Sequence, residues 1–141
     1  MIRSAKPSDI ESLLTVWLNA SILAHNFMPA SYWASKIADM RDVYLPVSEN
    51  CVYEKDGVVI GFASIYQSSL SALFVSPSQQ GKGIGSKLIN YIKSKHRSLD
   101  LSVYKENKAS IAFYQQHGFT CVGEQLDEHT GHPEVLMKLN T

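Results

Sequence analysis

Gly81, Gly83 and Gly85 recur every second residue between a run of strand-forming residues and a stretch with helical periodicity. At a helix N-terminus the peptide N–H groups lack intrahelical partners and carry the positive end of the helix dipole. Glycines let such a backbone approach a ligand closely. The stretch Val75-Ser76-Pro77-Ser78-Gln79-Gln80-Gly81-Lys82-Gly83-Ile84-Gly85-Ser86 therefore reads as an anion site, suited to phosphate or pyrophosphate. A glycine-rich turn with no ligand is the plainer alternative. Three glycines at a strand-to-helix junction weigh against it.

Three phosphate-binding classes compete. A P-loop requires G-x-x-x-x-G-K-[ST]; Lys82 follows Gly81, but Gly83 stands where Ser or Thr should hold magnesium. A dinucleotide fold requires G-x-G-x-x-G after its first strand, whereas the spacing here is G-x-G-x-G. Asp100 lies near the distance of a ribose-binding acid but opens its strand rather than ending it, and no second βαβαβ half follows.

The third class matches. Gln80-Gly81-Lys82-Gly83-Ile84-Gly85 resembles the Q/R-x-x-G-x-G/A pyrophosphate motif of the GNAT (GCN5-related N-acetyltransferase) family. The preceding Ala72-Leu73-Phe74-Val75-Ser76-Pro77 also resembles that family. So does Val103-Tyr104-Lys105-Glu106-Asn107-Lys108-Ala109-Ser110-Ile111-Ala112-Phe113-Tyr114-Gln115-Gln116-His117-Gly118-Phe119. The likeness spans nearly the whole chain and is nearest to small bacterial members, some of which acetylate protein lysines.

The resemblance implies a sheet splayed open between the strands at 72–75 and 99–104, with the pantetheine arm of acetyl-CoA in the opening. Backbone groups of Phe74 and Val75 would bind that arm as an added strand does. Gln80, Gly81, Lys82, Gly83, Ile84, Gly85 and Ser86 would wrap the pyrophosphate, although Lys82 is equally readable as a solvated side chain. Asn107 stands where a helix starts and is a strong N-cap residue; the family places an Asn here against the pantetheine arm. Tyr114 is the catalytic candidate. A phenol can protonate the departing CoA thiolate, and a backbone N–H can hold the oxyanion. The plain reading of Tyr114 is a side chain packed on a helix face beside Phe113. No general base is assigned; His25, Tyr44, Glu54 and Glu124 are candidates, and Ser69, Ser71 and Ser102 occupy positions where family members often carry an acid.

These residues need a scaffold, and the pattern supplies one. A strand over 2–6 precedes a helix for which Ser8 is the cap candidate, with Glu11 three residues on. A second helix is expected over 31–44, closed by Pro46. A strand at 51–54 turns at Asp56-Gly57 into a return strand over 58–66, in which Gly61 signals a bulge or close approach. Strands at 71–75, 99–104, 119–124 and 135–139 follow, with helices after the glycine loop and over 107–116. The expected fold is one α/β domain over 1–141: a GNAT-like mixed, mostly antiparallel sheet splayed at its centre and flanked by about four helices.

Composition narrows the class. Thirteen basic and thirteen acidic side chains cancel, which argues against a nucleic-acid partner. No apolar run approaches the ~20 residues of a membrane span, and the N-terminal residues lack a signal-peptide core. Cys51 and Cys121 are read as buried free thiols. His129 and His132 lack further ligands, so no metal is expected. These features imply a cytoplasmic protein, monomeric or homodimeric.

The acceptor pocket is expected between the first two helices and the distal loop, near Trp17, His25, Phe27, Trp33 and Tyr44. Residues 21–38 contain no Asp or Glu. A pocket without clustered carboxylates suits the stem of a protein lysine better than a polyamine or aminoglycoside, although Asp127, Glu128 and Glu134 in the distal loop could change that balance. A small-molecule amine acetyltransferase and a non-catalytic acyl-CoA-binding module remain alternatives.

Overall fold

The computed structural model describes residues 1–140. The chain runs β1 (Ile2–Ser4), α1 (Ile10–Ala24), α2 (Ala30–Ser35), α3 (Ile37–Asp39), a π-helical turn (Met40–Tyr44) and α4 (Leu45–Val47). It continues through β2 (Glu49–Lys55), β3 (Val58–Tyr66), β4 (Ser69–Val75), α5 (Ile84–Lys93), β5 (Ser98–Tyr104), α6 (Lys108–Gln116), β6 (Thr120–Leu126) and β7 (Pro133–Asn140). The strands form one seven-stranded sheet in the order β1-β2-β3-β4-β5-β7-β6. Every pairing is antiparallel except β4 with β5.

Local chemistry explains the joints. Asp56 and Gly57 take φ of 52° and 79°, the primed-turn geometry that folds β3 back on β2. The register slips beside Gly61: Tyr53 pairs with Gly61, but Glu54 pairs with Val59. A Cβ on Gly61 would stand 3.2 Å from Leu88 Cδ1 and 3.3 Å from the Phe74 carbonyl oxygen, so both a bulge and a close approach occur there.

Alternation along the strands sorts the core onto two faces. Val52, Phe62 and Ala72 pack against Leu13, Leu14, Val16 and Trp17 of α1 and Trp33 of α2. Ala63, Leu99, Leu101 and Met137 point the other way, onto Ile89 and Ile92 of α5, with Ile111, Phe113 and Tyr114 of α6 packed alongside. No helix among the described residues is long and apolar enough to cross a membrane.

Four details depart from the sequence reading. Ser8 does not cap the first helix: Pro7–Asp9 form a 3-10 turn, and the Asp9 carboxylate accepts from the Lys6 N–H at 2.7 Å. The helix expected over 31–44 is an arm of short pieces, since Lys36 interrupts it and Met40–Tyr44 widens to π geometry. Pro46 lies within the last piece rather than beyond it, and the chain turns extended at Ser48. Cys121 is exposed, because β6 is an edge strand whose residues are all exposed, and Cys51 on β2 is only half-buried.

Asp9 ties β1 to the start of α1. Its carboxylate takes both guanidinium nitrogens of Arg3, at 2.7 and 3.1 Å, and Arg3 also reaches Glu54 at 2.8 Å. The Arg3 hydrogen bonds hold the Asp9 carboxyl at about 2, below its ordinary 3.8. A depressed carboxyl stabilises the fold above its unfolded value and loses that contribution as pH falls through the folded value. Asp9→Asn should therefore be less stable than the parent at neutral pH. The gap should narrow between about pH 4 and pH 2, as read from denaturant midpoints.

Candidate active site

β4 and β5 run parallel but share one pair, Ser69 with Asp100. The Ser69 hydroxyl donates to the Asp100 carboxylate, and the Asp100 N–H donates to the Ser68 carbonyl at 3.0 Å. Beyond that point the strands diverge. From Ser71 onward β4 keeps its ladder with β3 and has no ladder partner on the β5 side.

A cleft of about 470 Å³ opens along this divergence. Leu73, Phe74 and Val75 of β4 form its floor. Gln80, Gly81, Gly83, Ile84, Gly85 and Ser86 form one end, and Asn107, Phe113 and Tyr114 one wall. Ala20, Leu23 and Ala24 of α1 close the opposite side. Ten of the predicted site residues thus meet in one cleft. Lys82 does not line it; its amino group reaches only the Gln79 amide oxygen, at 3.3 Å.

The loop geometry is that of an anion cradle. Gly81 and Gly83 take φ of 78° and 81°, and Gly83 is the N-cap of α5. A Cβ on Gly83 would meet no atom within 4 Å, so its glycine requirement comes from its backbone angle alone. The Gln80 side chain donates to the Val75 carbonyl at 3.0 Å, fastening the loop to the end of β4. That bond occupies one backbone group expected to be free for a ligand. The Phe74 carbonyl, also expected to be free, faces Gly61 of β3 because Phe74 pairs with Phe62. The neighbouring Leu73 is the residue whose backbone faces the opening.

The Ser86 hydroxyl lies 3.2 Å from Nε2 of His117, and Lys93 donates to the His117 carbonyl at 2.7 Å. Burial and the neighbouring Lys93 pull the His117 imidazole below its usual range. His117 falls within the family-like stretch, but nothing in its local sequence signals a partner on another helix.

Asn107 caps α6: its Oδ1 accepts from the Ser110 N–H at 3.2 Å, which leaves the Nδ2 donors to the cleft. Tyr114 packs against Phe113 and Phe119, with ring centroids at 5.3 and 5.5 Å. Burial pushes its phenol well above the ordinary range. The phenol therefore stays protonated at neutral pH, the state a general acid needs.

A second cleft, of about 640 Å³, reaches β4 beside the first, with Ser71 and Ala72 in its wall. The helical arm, Trp17, Tyr104, Asp127 and His129 enclose it. Of the aromatic residues expected around an acceptor, Trp17, Trp33 and Tyr44 line it. His25 and Phe27 instead pack on Tyr104, at 5.0 and 4.9 Å between ring centroids, behind the cleft. The expectation of an acid-poor pocket needs correction, because Asp39 and Asp127 both line it. Asp127 arrives from a loop 23 residues beyond its partner Tyr104.

The base candidates divide similarly. Glu54 is held by Arg3 at 2.8 Å and Glu124 by Lys105 at 2.9 Å. Burial lowers the His25 imidazole to about 4, and its Nδ1 is buried without a hydrogen-bond partner, so it is neutral at physiological pH. His132 turns to Glu106, at 3.4 Å, whereas His129 lines the second cleft. Among the described residues no three His, Cys, Asp or Glu side chains gather closely enough to hold a metal ion.

Comparisons with known proteins agree with this arrangement. A family model described as an acetyltransferase (GNAT) domain matches residues 46–121. The chain is 38% identical to the peptidyl-lysine N-acetyltransferase YiaC of Escherichia coli, over 97% of this chain and 94% of that one. It is 28% identical to the E. coli peptidyl-lysine N-acetyltransferase YjaB, over 98% and 94%. The solution structure of apo YjaB superimposes with a TM-score of 0.85 at 24% identity, covering 98% of this chain and 95% of that one. A PaiA N-acetyltransferase from Thermoplasma acidophilum, solved with coenzyme A, gives 0.82 at 19% identity, covering 100% and 98%.

Gly83→Val forces a β-branched residue to a positive φ at the cap of α5. It should weaken acetyl-CoA binding at least tenfold, about 1.4 kcal/mol, by calorimetry on folded protein. Lys82→Ala should change affinity much less, as its amino group stands outside the cleft.

Proposed function

The chain belongs to the GNAT acetyltransferase family, and we propose that it transfers the acetyl group of acetyl-CoA to the side-chain amine of a protein lysine. The observation that carries this reading is the diverging pair β4 and β5. It leaves strand backbone unpaired between a glycine-capped anion cradle and a second, aromatic cleft. The pyrophosphate fits the N-terminus of α5, where Gly81, Gly83 and Gly85 bring backbone N–H groups close. The pantetheine arm takes the open edge of β4 at Leu73 and Val75 as an added strand would, since the Phe74 carbonyl faces Gly61 of β3 and the Val75 carbonyl already accepts from Gln80. Asn107 contributes its free amide donors.

The acceptor amine enters from the second cleft. Its nitrogen attacks the thioester carbonyl carbon and forms the N–C bond. A β4 backbone N–H holds the resulting oxyanion. The ammonium proton passes to solvent, the C–S bond breaks, and Tyr114 gives its proton to the departing sulfur. Tyr114 suits this role because burial keeps its phenol protonated and so able to donate as the C–S bond breaks. A thiolate near pKa 8.5 is a weaker base than the phenolate, so the transfer is coupled to bond cleavage and solvent then returns a proton to Tyr114.

A lysine stem suits the lining of the second cleft. Trp17, Trp33, Tyr44 and Tyr104 supply surface for an aliphatic chain. Lys36 offsets one of the two carboxylates there, Asp39 and Asp127, so the cleft does not concentrate acid as a polycation site would. The names of YiaC and YjaB support the same acceptor. The free cysteines Cys51 and Cys121 fit a cytoplasmic setting.

Two measurements test the reading. Steady-state assays should give a higher kcat/KM with lysine peptides or proteins than with polyamines or aminoglycosides; the reverse order would refute the lysine assignment. Tyr114→Phe removes one oxygen and little volume, so single-turnover acetyl transfer should fall roughly 10²-fold with KM for acetyl-CoA nearly unaltered. An unchanged rate would remove Tyr114 from the chemistry.

A further inference from the structure

We propose that Asp127 is the charge reader of the acceptor cleft: its carboxylate holds the acceptor's ammonium at the mouth before the neutral amine attacks. The inference rests on the acetyltransferase reading but not on the acceptor being a lysine.

The carboxylate is fixed on one oxygen and open on the other. Oδ2 accepts from the Tyr104 hydroxyl at 2.6 Å and from the Thr130 hydroxyl at 2.8 Å. Oδ1 receives only a long N–H contact from His129, at 3.4 Å. Asp127 is half-buried and lines the cleft, so the open oxygen is available to a cation there. Burial opposes its charge, but the hydroxyl bonds outweigh that penalty and keep the group anionic.

Tyr104 makes the placement precise. It ends β5, the strand that diverges from β4, and its ring is packed edge-on against His25 and Phe27. The phenol therefore aims Asp127 from a rigid strand rather than from a free loop. The other charged groups in the same cleft do not compete for the role. Lys36 is cationic and lies over the Tyr32 ring at 5.4 Å. Asp39 sits on the helical arm with no side-chain hydrogen bond among the described residues to orient it.

A free alkylamine is an ammonium at neutral pH, with a reference pKa near 10.4. A preset carboxylate lowers the entropic cost of holding that group while its stem lies on the aromatic wall. Because the carboxylate has been held anionic, it binds rather than deprotonates. Its contribution belongs in KM, whereas removal of the proton is left to solvent.

The test is Asp127→Asn, which keeps the shape and an oxygen for Tyr104 and Thr130 but removes the charge. Two acceptors are compared at neutral pH: a lysine peptide, which is cationic, and an arylamine, which is neutral. The ratio of kcat/KM for peptide over arylamine should fall about tenfold in the variant, with the loss in KM. A merely structural role would lower both acceptors together and leave the ratio within about twofold, which would overturn the proposal. In the unmodified protein the same ratio should fall as salt is raised, and a salt-independent ratio would also count against it. Should the unmodified protein acetylate a small cationic amine and no lysine peptide, the lysine assignment fails, and the ratio taken with that amine still decides Asp127. An unmodified protein that acetylates no amine would refute both.

Discussion

A single residue pair holds the centre of the sheet. Ser69 faces Asp100, the Ser69 hydroxyl donates to the Asp100 carboxylate, and beyond this contact β4 and β5 separate. Strand backbone that leaves its ladder must find other partners, because unpaired buried peptide groups cost more than a typical hydrogen bond returns. The open stretch of β4 is therefore a demand for an extended, amide-bearing ligand. The molecule places that demand between the two clefts described above. Both faces of the sheet are covered: α1 and Trp33 lie on β2–β4 on one side, while α5 lies across β3, β4 and β5 on the other with α6 beside it.

The division of labour follows from that separation. The cradle end is made of backbone and glycine, and it meets charge with peptide dipoles rather than with Lys82. The second cleft, where the proposed function puts the acceptor, is lined by aromatic side chains and the oriented carboxylate of Asp127. Behind the second cleft stands an aromatic block. His25 is neutral there, flanked by Phe27, Trp33, Phe74 and Tyr104.

Local signals made most of this legible in the sequence. The Asp56-Gly57 turn, the Gly83 cap and the Asn107 cap each depend on the backbone angles or side-chain reach of a few adjacent residues. What escaped depends on distant contacts. The arm after α1 breaks at Lys36 and widens at Met40 while Trp33 packs on Trp17 and Tyr32, a pattern that helical periodicity does not encode. Cys121 reads as core from its apolar neighbours, yet its strand lies at the sheet edge. Asp127 reads as one more polar loop residue until the fold brings Tyr104 to it. Its presence in the acceptor cleft corrects the expectation of a pocket without fixed carboxylates.

Amide hydrogen exchange with and without saturating acetyl-CoA tests the central claim most directly, because it reads the backbone of β4 itself. The account predicts new protection at the N–H groups of Leu73, Val75 and residues 83–86, with little change in the outer strands β1 and β6. Binding that saturates by calorimetry yet leaves exchange along β4 unchanged would contradict it, since the ligand would then lie somewhere other than the opening between β4 and β5.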